Sequence, residues 1–283
     1  MNLENAINNG TKILEKNSIK SAQLDSEILM SKVINKERKF IVLNQNKYLE
    51  KNFYNCFKDL IYQRSKGKPI AHLIGKKDFW NFEFKVNKDV LVPRPDTELI
   101  IEEVLKRTKN KSKLKLLDIG VGSGCILLSI LNEKKDFYGI GIDLSKKCIE
   151  LSKINAFNLG ISNKVKFFKT DVDNFNYGKY DLVVSNPPYI NQIDLKNLDK
   201  EVNFEPKLSL DGGLDGLSVI KKVINKASEL IKINGMLILE IGFNQKERVK
   251  KILRNNGFYI NKVLKDYANN DRCIVSTKNN LYS

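Results

Sequence analysis

The tetrapeptide Asn186-Pro187-Pro188-Tyr189 combines groups that can hold a planar amino group for reaction. Its prolines stiffen the turn and lack a backbone N–H, so the turn offers carbonyl oxygens without competing donors. The side-chain oxygen of Asn186 and a neighbouring carbonyl can accept both hydrogens of an NH₂ group, while the Tyr189 ring covers its flat face. The lone pair of such a nitrogen is delocalised. We therefore expect catalysis by positioning and by stabilising the positive charge that develops on the nitrogen, without a general base.

A glycine-rich segment, Gly120-Val121-Gly122-Ser123-Gly124, follows a strand-like run that ends in Asp118-Ile119. Glycines let a backbone turn tightly and approach a ligand closely. Asp143 ends the next strand-like run, at about the spacing expected of a carboxylate that holds ribose hydroxyls. Because the glycines run G-x-G-x-G, the turn is a poor cradle for a dinucleotide pyrophosphate. The two features together predict a nucleoside site.

Short apolar runs alternate with helical stretches from residue 114 onward, which predicts a parallel sheet with helices on both faces. The tetrapeptide directly follows one predicted strand, at the end where open parallel sheets bind ligands. The last two predicted strands are separated only by a loop and should form an antiparallel hairpin at the sheet edge. The predicted strands are Leu114–Ile119, Tyr138–Ile142, Val165–Lys169, Asp181–Ser185, Met236–Ile241, Phe258–Val263 and Cys273–Ser276.

The chain before this alternation has a different pattern. Apolar residues recur at helical spacing up to about Lys68, which predicts a small helical domain over residues 1–68. Aromatic alternation from Phe79 to Val86 predicts a β-hairpin within a linker over 69–95. Asp96, Thr97 and Glu98 then form a predicted helix start at the beginning of an α/β domain over 96–283.

The composition, with 42% hydrophobic and 29% charged residues in 283, is that of a globular protein with one large domain or two unequal ones. No apolar run approaches the roughly 18 residues that span a bilayer, and no signal peptide is readable, so we expect a cytoplasmic protein. One histidine and four scattered cysteines predict no metal site. The net charge of +16 would suit a nucleic acid or an acidic protein, but the excess of lysine is also typical of an AT-rich genome.

The glycine turn resembles motif I of class I methyltransferases, which bind S-adenosylmethionine, and Asn-Pro-Pro-Tyr resembles the corresponding motif of amino-group methyltransferases. Two more segments, Val92–Glu98 (VPRPDTE) and Glu205–Leu217 (EPKLSLDGGLDGL), closely resemble the peptide chain release factor glutamine methyltransferases. The resemblance covers nearly the whole chain. It implies a Rossmann-like class I methyltransferase fold with a C-terminal antiparallel hairpin and a helical N-terminal domain that helps to engage the release factor.

The resemblance also implies the reaction: transfer of a methyl group from S-adenosylmethionine to the glutamine amide nitrogen of a Gly-Gly-Gln motif in translation termination. Residues 120–124 would face the methionine part of the cofactor, Asp143 would hold the ribose, and Asp171 and Val172 would lie at the adenine. The substrate glutamine would bind Asn186, Pro187, Pro188 and Tyr189, with Asn186, Pro187 and Tyr189 as catalytic residues and Asn186 also touching the cofactor. We expect a monomer without metal or membrane partners.

Three alternatives stay open from the sequence. The same tetrapeptide occurs in methyltransferases that act on DNA or RNA adenine, but we see no target-reading insert, which argues against a nucleic-acid substrate. A sister family methylates a ribosomal protein glutamine, but it usually departs from Pro-Arg-Pro-Asp-Thr-Glu. A binding protein that keeps the cofactor fold without catalysis is the third alternative.

Overall fold

The computed structural model describes residues 1–279, and these divide into two compact units. The first unit comprises residues 1–76 together with 199–204, and the second comprises 77–198 and the chain from Glu205 onward. Positions 280–283 of the predicted α/β domain lie outside the described residues, and the domain boundaries at 68 and 95 stay predictions. None of the helices in residues 1–279 is long and apolar enough to cross a membrane.

The first unit is helical, and its apolar residues recur once per turn because one face of each main helix is buried. Leu3, Ile7 and Leu14 on the first helix pack in one cluster with Phe57 and Ile61 on the fourth. The helices are α1 (Leu3–Lys16), α2 (Ala22–Ile34), α3 (Arg38–Leu43), α4 (Lys51–Ser65) and α5 (Ile70–Ile74). The predicted helical N-terminal region is therefore confirmed.

The predicted hairpin is present as β1 (Lys76–Phe79) and β2 (Phe82–Lys85), which form a two-stranded sheet. Trp80, with a φ of 55°, makes the tight turn between them. Phe79 and Phe84 pack edge to face with ring centroids 6.2 Å apart, and both are buried in the core of the second unit. The hairpin is therefore anchored by its aromatic side chains.

Within the described residues, seven strands form the sheet of the second unit. They are β3 (Lys115–Ile119), β4 (Tyr138–Asp143), β5 (Val165–Lys169), β6 (Tyr180–Ser185), β7 (Ile231–Glu240), β8 (Phe258–Lys265) and β9 (Asp271–Lys278). Their order in the sheet is β5-β4-β3-β6-β7-β9-β8. The first five in chain order are parallel to one another, and β9 pairs antiparallel with both β7 and β8. This confirms the mixed sheet and its C-terminal hairpin.

Helices cover both faces of this sheet because alternate strand residues point to opposite sides. The helices are α6 (Glu98–Arg107), α7 (Cys125–Glu133), α8 (Lys146–Asn158), α9 (Ser218–Leu230) and α10 (Lys246–Asn255). Leu116 on β3 packs with α6, α7 and α8, whereas its neighbour Leu117 packs with α9 and α10. The chain starts at β3 and builds the sheet first to one side and then to the other, so β3 and β6 flank the switch point where such sheets bind ligands.

The first unit contains a buried ion pair. Arg64 on α4 donates from Nε to Asp25 Oδ2 at 2.7 Å, from Nη1 to the carbonyl oxygen of Lys68 at 3.1 Å, and from Nη2 to Glu201. Glu201 belongs to the segment 199–204, which lies between β6 and α9 in the chain and counts with this unit. Arg64 and Asp25 are both buried, and the Asp25 carboxylate depends on Arg64 for compensation of its charge.

We expect the substitution Arg64→Met to destabilise the helical unit by about 3–5 kcal/mol, because it leaves the buried carboxylate of Asp25 unpaired. The matched control is Arg38→Met: the Arg38 side chain is 54% exposed, whereas that of Arg64 is 3% exposed. Its partner Glu27 is buried but keeps a hydrogen bond from Gln23 Nε2 at 2.6 Å. The control should cost about 0–1 kcal/mol. Urea unfolding followed by circular dichroism measures both losses. Equal losses for the two variants would contradict the argument.

Candidate functional site

The glycine turn follows β3 and has two open positions. Gly120, Gly122 and Gly124 have φ values of 80°, 55° and 85°, a region that favours glycine. A Cβ on Gly120 or Gly122 would meet no atom of the described residues within 4 Å, whereas one on Gly124 would lie 2.8 Å from Leu128 Cδ1. The first two glycines therefore leave room for a ligand against the backbone, and the third allows close packing of α7.

Asp143 ends β4 and is fixed by two backbone donors. Its Oδ2 accepts a hydrogen bond from the Gly122 N–H at 3.0 Å, and its Oδ1 accepts one from the Ser145 N–H at 2.8 Å. Burial raises the pKa of the Asp143 carboxyl above its ordinary value, and these N–H donors oppose that rise. The carboxylate is thus locked to the glycine turn, and its remaining lone pairs can accept hydrogen bonds from a ligand.

The glycine turn and Asp143 both line one cavity of about 370 Å³ in the second unit. Its lining brings together most of the predicted site residues: Gly120, Val121, Gly122, Ser123, Asp143, Asp171, Val172, Asn186, Pro187 and Pro188. Gly124 and Tyr189 do not line it. Sequence reasoning missed several lining residues that follow the same strands or lie opposite them, among them Leu91, Leu144, Ser145, Thr170, Leu208 and Lys222.

Asp171 and Val172 lie after β5, at the third strand end of the cavity. Asp171 Oδ1 accepts a hydrogen bond from the Asp173 N–H at 3.0 Å, which starts a short 3₁₀ turn. Lys222 of α9 also lines the cavity and is paired with Asp173. The structure therefore brings this predicted acidic residue to the same cavity as Asp143.

The tetrapeptide begins where β6 ends, beside the end of β3. Ser185 Oγ donates to the Ile119 carbonyl oxygen at 2.6 Å and ties the two strand ends together. Downstream, Gln245 Nε2 donates to the Tyr189 carbonyl oxygen at 2.9 Å, and a Cβ on Gly216 would lie 2.5 Å from that same oxygen. The segment that contains Gly216 therefore packs directly on the turn. The Asn186, Pro187 and Pro188 carbonyls are the remaining main-chain acceptors of the turn.

The side chains of Asn186 and Tyr189, at the two ends of the tetrapeptide, are hydrogen-bonded to residues that the sequence analysis did not link to them. Asn186 Nδ2 donates to Thr97 Oγ1 at 3.2 Å, and the Tyr189 hydroxyl donates to Glu240 Oε1 at 3.2 Å. The Thr97 side chain makes no capping bond at the start of α6 and instead donates to Glu240 Oε2 at 2.7 Å. Helix α6 does begin here, at Glu98, after a 3₁₀ turn over Pro95–Thr97.

Asp118 on β3 is a buried carboxyl close to the turn, and no group in residues 1–279 is hydrogen-bonded to its side-chain oxygens. Burial raises its pKa to about 8, the nearby Leu127 N–H opposes the rise, and the negative charge of Asp143 adds to it. The Asp118 side chain is thus protonated in the folded protein at neutral pH. No sequence signal distinguished this carboxyl from that of Asp143, because burial depends on the whole sheet.

The raised pKa of Asp118 gives a pH-dependent stability difference. Between the unfolded pKa of about 3.9 and the folded value of about 8, only the folded state binds this proton, so its contribution to stability falls as pH rises. We expect Asp118→Asn to gain stability relative to the native protein by up to about 1.4 kcal/mol per pH unit from pH 5 to 8.

Urea titrations of the ligand-free proteins at several pH values measure this difference. Asp181→Asn is the matched control, since Asp181 lies on the adjacent strand, is partly exposed and is already paired with Lys232. A gain for Asp118→Asn that does not change with pH, after subtraction of the control, would contradict the protonation state assigned to Asp118.

Comparisons with known proteins agree with this architecture. A family model described as the PrmC N-terminal domain matches residues 5–75, and one described as the methyltransferase small domain matches residues 95–202. Among solved structures, a ribosomal protein L11 methylase from Lactobacillus delbrueckii subsp. bulgaricus superposes with a TM-score of 0.51 over 72% of this chain and 91% of its own, at 16% identity. At that identity the likeness shows the fold alone.

Curated relatives extend over nearly the full chain. A protein of Buchnera aphidicola (subsp. Schizaphis graminum) is 37% identical over 90% of this chain and 92% of its own length. One of Clostridium acetobutylicum is 34% identical over 99% of this chain and 100% of its own, and one of Caulobacter vibrioides is 34% identical over 94% and 92%. Each is named release factor glutamine methyltransferase. The chain belongs to the release factor glutamine methyltransferase family.

Proposed function

We propose that this protein transfers a methyl group from S-adenosylmethionine to the glutamine side-chain nitrogen in the Gly-Gly-Gln motif of peptide chain release factors. One observation carries the proposal: the acceptor-rich turn at Asn186 and the glycine turn with Asp143 open into the same cavity. A nucleoside-type cofactor and a planar amide can therefore meet there. Membership of the family supports the choice of release factors as the substrate.

The residues that line the cavity suit S-adenosylmethionine as the cofactor. Gly120 and Gly122 leave open space against the backbone, and the Asp143 carboxylate is fixed at the cavity wall with lone pairs to spare. We assign Asp143 to the ribose hydroxyls, residues 120–123 to the methionine part, and Asp171 with Val172 to the adenine. Gly124, which the sequence also assigned to the cofactor, does not line the cavity and instead lets α7 pack closely. The buried, unpaired carboxyl of Asp118 can ionise beside a cationic amino group. When bound, S-adenosylmethionine supplies the methyl group from a sulfonium, an electrophile.

The turn binds and orients the substrate amide. Asn186 Oδ1 and a proline carbonyl of the turn accept the two amide hydrogens, which holds the nitrogen toward the methyl group. These acceptors also stabilise the positive charge that develops on the nitrogen, and because they are already in place they need no reorganisation. Asn186, Pro187 and Pro188 line the cavity. Tyr189 does not line it, and its hydroxyl is hydrogen-bonded to Glu240. A proton leaves after transfer, so no general base is required.

The partners follow from the same activity. We propose that the helical unit helps to engage the release factor, since a chain with a net charge of +16 suits an acidic surface. We expect the enzyme to act as a monomer in the cytoplasm, where translation termination takes place, and to use neither a metal nor a membrane.

Labelled methyl transfer tests the proposed substrate. S-adenosylmethionine with a labelled methyl group is offered with a bacterial release factor, with the same factor carrying alanine for the glutamine of Gly-Gly-Gln, and with duplex DNA. We expect label on the intact release factor alone. Label on DNA alone would move the assignment to a nucleic-acid methyltransferase, and label on the alanine variant would exclude that glutamine as the acceptor.

Asn186→Ala should lower kcat for methyl transfer by on the order of 10² to 10³, the loss typical of removing one preorganised polar contact to a developing charge. Cofactor affinity and thermal stability should change little. The matched control is Asn158→Ala, at an exposed asparagine that ends α8 outside the cavity. Steady-state kinetics of both variants provide the measurement, and a kcat equal to that of the control would remove Asn186 from the site.

Asp143→Asn should weaken S-adenosylmethionine binding by about 1.5–3 kcal/mol, because it removes the charge from the hydrogen bonds to the ribose. Asp136→Asn is the control: Asp136 also accepts a backbone hydrogen bond, from the Lys113 N–H at 2.9 Å, but lies outside the cavity. Isothermal titration calorimetry compares the two. Equal affinities would show that Asp143 does not hold the cofactor.

A further inference from the structure

A chain of buried polar groups joins both ends of the Asn186–Tyr189 turn to one carboxylate. Asn186 Nδ2 donates to Thr97 Oγ1 at 3.2 Å, and Thr97 Oγ1 donates to Glu240 Oε2 at 2.7 Å. The other oxygen of Glu240 accepts the Tyr189 hydroxyl at 3.2 Å. Thr97 is 3% exposed and Glu240 2% exposed. The Asn186–Thr97–Glu240 connection is hereafter the relay.

The direction of the hydrogen bonds in the relay follows from the hydrogens available: the Glu240 carboxylate has none to donate and the Thr97 hydroxyl has one. An ionised carboxylate only accepts, so the single hydroxyl hydrogen of Thr97 must point to Glu240. The lone pairs of Thr97 Oγ1 then face Asn186, and only the NH₂ end of the Asn186 amide can satisfy them. The carbonyl end, Oδ1, is thereby directed away from Thr97. Glu240 thus decides which end of a nearly symmetric amide faces Thr97.

The orientation matters because the two ends of the amide have opposite chemistry. With Oδ1 available, Asn186 accepts a hydrogen from the substrate NH₂ group. With the amide reversed, its own NH₂ would face that NH₂ group, and two donors repel. Without the hydrogen bond to Thr97, neither orientation of the Asn186 amide would be favoured over the other. The acceptor that the proposed reaction needs would then be present in only part of the molecules.

The Tyr189 branch adds a second constraint. Arg272 Nη1 lies 3.5 Å from the Tyr189 hydroxyl oxygen and donates to it, so the hydroxyl hydrogen is directed to Glu240. Pro187 and Pro188 separate Asn186 from Tyr189 and stiffen the turn between them. One carboxylate on β7 therefore holds both ends of a turn that projects from β6.

We propose that Glu240 and Thr97 are positioning residues for methyl transfer: they fix Asn186 with its carbonyl oxygen presented to the substrate amide. This inference rests on the proposed function, because it takes Asn186 as the group that binds the substrate. Neither Glu240 nor the Thr97 hydroxyl touches the substrate in this scheme. Both act through Asn186.

Isosteric substitution at Thr97 provides the first test. Thr97→Val removes the hydroxyl while keeping the shape and should lower kcat on the order of tenfold, the effect of losing one ordinary hydrogen bond. Thr97→Ser keeps the hydroxyl and should restore kcat. The affinity for S-adenosylmethionine and the KM for the release factor should change less than threefold in both.

The matched control is Thr108→Val, which removes another buried threonine hydroxyl, at the C-terminal end of α6, where it donates only to the Val104 carbonyl oxygen at 2.7 Å. It should leave kcat unchanged. If Thr97→Val keeps the native kcat, or if Thr97→Ser loses as much activity as Thr97→Val, the positioning role is wrong. Melting temperatures identify any variant that loses kcat through unfolding.

The pH dependence of kcat provides the second test. The charged and titratable groups that act on Glu240 are Asp96, Tyr189, Arg272, Cys125 and Cys273. Burial raises the pKa of Glu240 to about 7, and its bonds to Thr97 and Tyr189 and the charge of Arg272 oppose the rise. Oε1 already accepts the Tyr189 hydroxyl, so protonation at lower pH places the hydrogen on Oε2. The carboxyl then faces Thr97 with a donor and no longer directs the Thr97 hydrogen to itself, so kcat should rise with pH through about 7.

Glu240→Gln cannot ionise, so its kcat should lose this pH step. A step of the same midpoint and size in Glu240→Gln would assign the titration to another group and overturn the role of Glu240.

A measurement independent of activity separates this inference from the proposed function. The side-chain NH₂ signals of Asn186, assigned by their absence in Asn186→Asp, should shift with a midpoint near pH 7 in the ¹⁵N-asparagine-labelled protein and not in Glu240→Gln. Signals that do not titrate in the native protein would overturn the relay, whatever the activity. Titrating signals in a protein that methylates no release factor would instead overturn the proposed function.

Discussion

The parallel pairing of β3 with both β4 and β6 is the constraint on which the site depends. Because the chain enters the sheet at β3 and then builds outward on either side, the carboxyl ends of three neighbouring strands meet at one edge. Each strand end carries a different chemical element of the site. The glycine turn follows β3, Asp143 ends β4, and the Asn186 turn follows β6. The hydrogen bond from Ser185 to the Ile119 carbonyl oxygen keeps two of these ends in contact.

Local sequence patterns were enough to predict the sheet and the residues at its strand ends. The strands of the second unit are short apolar runs bounded by glycine or polar residues, and strand-helix alternation leaves few possible topologies. The glycine turn and the prolines of the tetrapeptide are constrained by their own backbone chemistry, so their conformations depend little on distant residues. Placement at strand ends then brings Asp143 and Asn186 to one cavity. The helical N-terminal region was equally visible, because its apolar residues recur with each turn of the helices.

Other features depend on contacts between residues far apart in the sequence. Thr97 follows Asp96 at a helix start, where local rules favour a capping role, yet its hydroxyl binds Glu240, 143 positions away. Glu240 ends an apolar strand and gave no local signal of its own. The difference between Asp118 and Asp143 also depends on tertiary structure: both follow apolar strand residues, but only Asp143 receives backbone N–H donors from the turn and the next helix. Such partners are fixed only when the sheet is assembled.

The buried relay is better explained by positioning than by stability. A buried carboxylate is costly to desolvate, and replacing a buried polar network with well-packed apolar residues is often neutral or stabilising. The network of Thr97, Tyr189 and Glu240 therefore contributes something that apolar packing would not provide. An apolar wall could hold the Asn186 side chain in place, but it could not distinguish the oxygen of the amide from its nitrogen, which are nearly equal in size. Only hydrogen-bond donors and acceptors make that distinction, and a charge at the end of the relay makes it one-directional. Burying Glu240 costs free energy, and the same buried charge orients the Asn186 amide so that its oxygen is available as an acceptor.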